Sequence, residues 1–76
     1  MQVRIGVQSV LKEVVIETSL SADEVFQALQ NALAAPHGVL ELPGSKGGRV
    51  LVPAAGIGYL ELDDPEGRQI GFGSSF

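Results

Sequence analysis

Between Leu20 and Leu33 the chain carries a helix start that fixes much of what it can become. In Leu20-Ser21-Ala22-Asp23-Glu24-Val25, Ser21 is placed to cap the amide of Glu24, and Glu24 to reach back to the amide of Ser21. Leu20 is placed to staple onto Val25. Behind that box Val25, Phe26, Leu29, Ala32 and Leu33 fall on one stripe of a 3.6-residue period, which predicts an amphipathic helix with those five inward. Gln27, Gln30 and Asn31 lie on the other side and should meet water. Asp23 and Glu24 sit in the first turn, where the helix dipole favours negative charge. Pro36 stops the helix near Ala34 or Ala35, because its ring excludes the helical conformation from the residue before it.

One helix must be covered by something, and the flanking residues read as strands. From Gln2 to Gln8 the side chains alternate, Val3, Ile5 and Val7 against Gln2, Arg4, Gly6 and Gln8. From Lys12 to Thr18, Val14, Ile16 and Thr18 oppose Glu13, Val15 and Glu17. These two runs are expected to pair as an antiparallel hairpin with a wide connection. After the helix, Val39 to Leu42 forms a short strand, Pro43 to Gly48 a loop, and Arg49 to Val52 an apolar return ended by Pro53. Ile57 to Leu62 alternates again as a fifth strand. In the tail, 68–76, Ile70 and Phe72 are spaced for an edge strand, the alternative being a loosely docked end. The expectation is a single α+β domain over 1–76, with one mostly antiparallel sheet of about five strands packed on a single helix in the order β-β-α-β-β-β.

The core of such a domain has to be aliphatic. The 76 residues are 45% hydrophobic but 5% aromatic and hold no cysteine, so neither a disulfide nor a thiolate zinc site supplements packing. A chain of this size gains from self-association. The nine acidic residues outnumber the five basic ones, for a net charge of −4, and the charges are dispersed. That pattern argues against nucleic acid or an anionic membrane as partner, both of which demand a concentrated positive field. The sequence also lacks an apolar run of about 18 residues and a secretory leader, so the cytoplasm is the expected location.

Val3 to Gln8, Ser21 to Val25, Arg49 to Pro53, Gly58 to Leu62 and Gly71 to Gly73 together resemble a family of short uncharacterised actinobacterial proteins, a domain of unknown function whose members are sometimes labelled ATP-binding. The resemblance spans nearly the whole chain and implies no catalytic residue. The one stretch that bears on the ATP label is the glycine-rich loop Pro43 to Arg49, where Lys46, Gly47, Gly48 and Arg49 could hold a phosphate. It is no Walker loop, because the lysine precedes the glycines and a strand follows. A hairpin tip kept soluble by its two cations explains it more simply.

Other chemistry is weaker still. Glu61, Asp63, Asp64 and Glu66 lack the spacing of a calcium loop and read as a solvated turn. His37 is the single histidine and stands past the helix end without a sequence partner for acid–base work. No catalytic residue, metal set or cofactor is expected, and the chain reads as a non-enzyme.

Coverage offers the stronger lead. A helix of about fourteen residues, roughly 21 Å long and 10 Å wide, cannot cover both faces of a sheet about 20 Å across. Val15, Leu40, Tyr59, Leu60, Leu62 and Phe72 are therefore expected to form a surface for a protein partner or a second copy. The favoured function is a protein-interaction or self-associating module. One alternative is a small-ligand or nucleotide binder at residues 43–49. Another is a carrier of the β-grasp type, whose usual Gly-Gly end is missing from Gly73-Ser74-Ser75-Phe76.

Overall fold

The computed structural model describes residues 1–63 in full and 69–72 through their backbone. The elements run β1 (Gln2–Val7), β2 (Val14–Glu17), α1 (Ala22–Ala34), β3 (Val39–Pro43), β4 (Arg49–Pro53), a 3-10 turn (Ala54–Gly56), β5 (Ile57–Asp63) and β6 (Gln69–Phe72). The α+β class and the expected element order hold, and of the two readings of the tail the edge strand forms, as β6. The part of the tail at 73–76 lies outside the described residues.

The helix starts as its sequence dictates. The Glu24 amide donates to Ser21 Oγ at 3.1 Å, and the Ser21 amide donates to Glu24 Oε1 at 2.9 Å. Its buried stripe is narrower than the periodicity indicated. Ala22, Val25, Leu29 and Ala32 are buried, whereas Phe26 and Leu33 are exposed. The two exposed residues are seven apart and share one flank, just beyond the reach of the layer below. On the far side Gln27 donates to Asn31 at 3.1 Å.

The single five-stranded sheet is not what forms. One sheet has four strands in the order β2-β1-β5-β6, and β3 pairs only with β4 in a separate ribbon, every pair antiparallel. Prolines explain the split. Pro43 and Pro53 close the two strands of the ribbon and carry no N–H to extend a ladder. The 3-10 turn after Pro53 then delivers β5 past the ribbon to β1, held by the Gln8 amide donating to the Gly56 carbonyl at 2.7 Å. Because β1 lies antiparallel to both its neighbours, the parallel central pair of a β-grasp domain is not found among the described residues.

The ribbon and the helix together form a second layer. A single core cluster joins Val3, Ile5, Ile16, Leu60 and Leu62 of the large sheet to Val25 and Leu29 of α1, and to Leu40, Leu42 and Val52 of the ribbon. The expectation that Leu40, Leu60 and Leu62 would lie on an open face is therefore corrected: they are 1%, 2% and 3% exposed. The ribbon that was expected to widen the sheet covers it instead, so the inner face needs no partner. Among the described residues, no helix is long and apolar enough to cross a membrane.

Candidate functional site

Among the described residues, the outer face of β2, β1 and β5 is mostly polar, with Val15 exposed on it. Register sets Glu17, Gln2 and Asp63 in one row, and Val15, Arg4 and Glu61 in the next. Arg4 Nε meets Glu61 Oε1 at 3.2 Å. In the third row Tyr59 stands opposite Gly6, and its hydroxyl donates to Glu13 Oε2. This bond, with burial a lesser cause, raises the Tyr59 phenol above its ordinary value of 10.0, since a neighbouring carboxylate disfavours the phenolate. Tyr59 is thus committed to a contact within the chain.

At the edge of this sheet, β2 ends the strand order. The direction of its peptide groups follows from two hydrogen bonds. Thr18 donates to the Met1 carbonyl at 2.9 Å, and the Glu17 carbonyl accepts from the Ser45 amide at 2.9 Å. Thr18 and Ile16 therefore bond toward β1, and by the two-residue alternation of an antiparallel ladder Glu17 and Val15 present their N–H and C=O groups outward. Of these outward groups, only the Glu17 carbonyl has a backbone partner among the described residues. Val15 adds a side chain that is 53% exposed.

Facing this edge across a cleft of about 370 Å³ is the tip of the ribbon, Gly44 to Val50. The structure brings together two groups of residues that the sequence had kept apart. Val15 lies on one wall, and Lys46, Gly47, Gly48 and Arg49 lie on the other. Ile16 and Val50 also line the cleft. The Ser45 bond to Glu17 ties the two walls at one end.

The tip is poorly arranged as an anion cradle. Its Gly44 amide donates to the Gly48 carbonyl at 3.0 Å, and its Gly47 amide to the Gly44 carbonyl at 3.2 Å. With Ser45 bound to Glu17, three amides of the loop are already in use. Gly47 and Gly48 have φ of 94° and 76°, so glycine is required there for the turn itself. Arg49 is held by Glu41 at 2.7 Å across the ribbon.

Of the six residues assigned to an interface, Val15 is at the cleft and Tyr59 is on the outer sheet face. Leu40, Leu60 and Leu62 are core, and the side chain of Phe72 lies outside the described residues. Sequence reasoning missed Glu13, Glu17 and Ser45. The signal for the first two was present, since Glu13-Val14-Val15-Ile16-Glu17 alternates and sets both acids on the side of Val15. Among the described residues no three histidine, cysteine, aspartate or glutamate side chains converge as a metal site. Glu61 is ion-paired, and Asp64 and Glu66 of the acidic turn lie outside the described residues.

A second hollow of about 350 Å³ lies where the connection from β1 to β2 meets β5, lined by Gly6, Val10, Leu11, Glu13 and Tyr59 among others. Ser9, with φ of 66°, turns the chain there and projects Val10 and Leu11 into solvent.

Residues 1–73 match the model of the family described as protein of unknown function (DUF3107), and the chain belongs to that family. Comparison with curated proteins returned no match.

Proposed function

We propose that this member of a family of unknown function is a non-enzymatic protein-interaction module, which accepts an extended segment of a partner along the free edge of β2. The observation that carries this reading is the outward set of peptide groups at Val15 and Glu17, opening onto a cleft whose other wall is the ribbon tip. Strand addition uses such groups for affinity and the flanking side chains for specificity. Edges left open in this way are normally blocked by charge, proline or a covering loop. Here the covering loop is tied at Glu17 and leaves Val15 clear. A chain without cysteine is also in keeping with a cytoplasmic setting.

Val15→Pro tests the reading. The Val15 N–H is not used inside the sheet, so proline is tolerated at this edge position while one docking hydrogen bond is removed and the approach is obstructed. A partner retained by the parent protein and lost by Val15→Pro, with the thermal transition of both proteins intact, is the expected result. Equal retention by both would end the proposal.

A second reading, a small-ligand or nucleotide site at Lys46 to Arg49, draws support from the cleft volume, which lies within the range of small-molecule sites. The prior use of the loop amides counts against it. ATP titrated to millimolar concentration should then shift the amide resonances of Lys46 and Gly48, and unmoved signals would remove this reading.

A further inference from the structure

The turn between β1 and β2 sets an apolar knob beside a hole. We propose that this patch is a self-docking surface, through which two copies of the chain associate about a two-fold axis, Leu11 of each entering the hollow of the other. It lies apart from the cleft at Val15 and does not depend on strand addition.

The knob comes from the turn itself. Ser9, with φ of 66°, and the Val10 amide donating to the Val7 carbonyl at 3.2 Å reverse the chain directly after β1. Residues that favour turns are small or polar. Here Ser9 is followed by two apolar side chains, Val10 at 54% and Leu11 at 107% exposure. A single exposed leucine is ordinary, but Leu11 stands at the mouth of a hollow that it helps to line.

The hole comes from two glycines. Gly6 admits the ring of Tyr59 against β1, and Gly58 leaves space beside it. Outside its chain neighbours, a β-carbon at Gly58 would meet nothing closer than the Gly6 carbonyl oxygen at 3.4 Å and Gln8 Cγ at 3.7 Å. The resulting hollow of about 350 Å³ has room for a leucine side chain. A knob and a hole on one patch suit an isologous contact, in which residue i of one copy meets j of the other and j meets i.

The charges of the turn have the same self-complementary form. Lys12 and Glu13 adjoin and both are exposed. Among the described residues neither is in an ion pair, and Glu13 accepts from the neutral Tyr59 hydroxyl. A two-fold axis beside the turn sets Lys12 of each copy against Glu13 of the other, two contacts of opposite charge. A partner of one sign would instead meet one attraction and one repulsion, so the pair selects a second copy and fixes its orientation. A six-residue turn and one hollow fall well short of the roughly 800 Å² per partner of a standard interface. The dimer is accordingly weak and exchanges rapidly.

The test follows sedimentation and amide shifts of the full chain from micromolar to millimolar concentration. The expected result is a monomer–dimer equilibrium whose concentration-dependent shifts fall on Gly6, Val10 to Glu13, Gly58 and Tyr59. Leu11→Ser removes the knob and Gly58→Val fills the hole. Each should weaken the dimer by about ten-fold or more, the loss expected when a buried leucine is given up, with the thermal transition retained. Val15→Pro should leave the dimer unchanged. Lys12→Glu and Glu13→Lys should each give a monomer, because each sets like charges together at both contacts. Mixed in equal amounts, these two variants should form a mixed dimer, since the acids of one then face the lysines of the other. The parent carries −4 and each substitution changes this by two charges, so both variants stay net negative and only local pairing can join them.

A chain that stays monomeric to millimolar concentration would overturn the proposal. So would a dimer whose shifts fall elsewhere, as on Val39 and Leu51 of the ribbon, or one indifferent to Leu11→Ser. A dimer that meets those tests while the mixed variants stay apart would overturn the charge pairing and the two-fold axis that it fixes.

Discussion

The ring of Tyr59 lies against Gly6, its register partner on β1, so closely that a β-carbon at position 6 would come within 2.0 Å of the Tyr59 Cε2 atom. The absence of a side chain on one strand is thus filled by an aromatic from the next, an arrangement that pins register. The register shift between Gly6 and Val7 lies immediately beside this pair, and the Tyr59 hydroxyl reaches on to Glu13. Gly6, Tyr59 and Glu13 therefore stitch β5 to the approach of β2 across β1. Gly6→Ala must push the ring aside and break the Glu13 bond with it. The expected outcome is a lower thermal midpoint and a changed tyrosine emission, Tyr59 being the single tyrosine of a chain without tryptophan. An unchanged midpoint and spectrum would show that the ring does not rest there.

The same pair predicts a pH dependence. The Glu13 hydrogen bond raises the Tyr59 phenol above 10.0, so the folded state holds its proton where the unfolded chain has begun to release it. The stabilisation is complete below the unfolded value, near pH 10, and is lost as pH climbs through the higher folded value. Ultraviolet absorbance of the phenolate should rise later with pH than in a denatured sample. Glu13→Gln should bring the two titrations together, because the neutral amide removes the charge that opposes ionisation.

How much of this was legible in the sequence depends on what each residue's burial relies upon. The capping box was readable in full, because its bonds span three residues. The alternation of β1, β2 and β5 was equally plain, since period two is local. The partner of each strand was not. Whether β3 and β4 widen the sheet or fold over it depends on how Pro53 and the 3-10 turn aim β5, and the same turn decides whether Leu40, Leu60 and Leu62 end as surface or as core. The cleft at Val15 was illegible for the same reason, since its walls are some thirty residues apart and meet only when the ribbon folds back.

Burial and apparent apolar periodicity separate cleanly at two leucines. Leu40 is buried in the ribbon while Leu33, on the helix, is 48% exposed. Leu40→Ala should cost about 2–5 kcal/mol, a large fraction of the roughly 4–11 kcal/mol available to a domain of this size. Leu33→Ser, on the flank it shares with Phe26, should stay within about 0.5 kcal/mol. Urea unfolding measures both. Similar midpoints for the two variants would return Leu40 to the surface where the sequence had set it.

Gly38 makes the connection between the helix and the ribbon. Its amide donates to the Ala35 carbonyl at 3.1 Å, and its own carbonyl accepts from Ala54 at 2.9 Å, so one residue ties the helix end to the turn that precedes β5. A β-carbon there would overlap the carbonyl oxygen of Ala32, which is helix backbone and cannot swing away as a side chain can. His37 just before it already adopts a left-handed φ of 58°, so the connection has little freedom left to absorb the clash. Gly38→Ala is therefore expected to lose about 1–3 kcal/mol, or roughly 4–8 °C in melting temperature for each kcal/mol. Because β3 starts at the next residue, the loss should be accompanied by faster exchange of the Ala54 amide. Loss of stability with Ala54 still protected would mean that the helix end gives way rather than the tie to the ribbon.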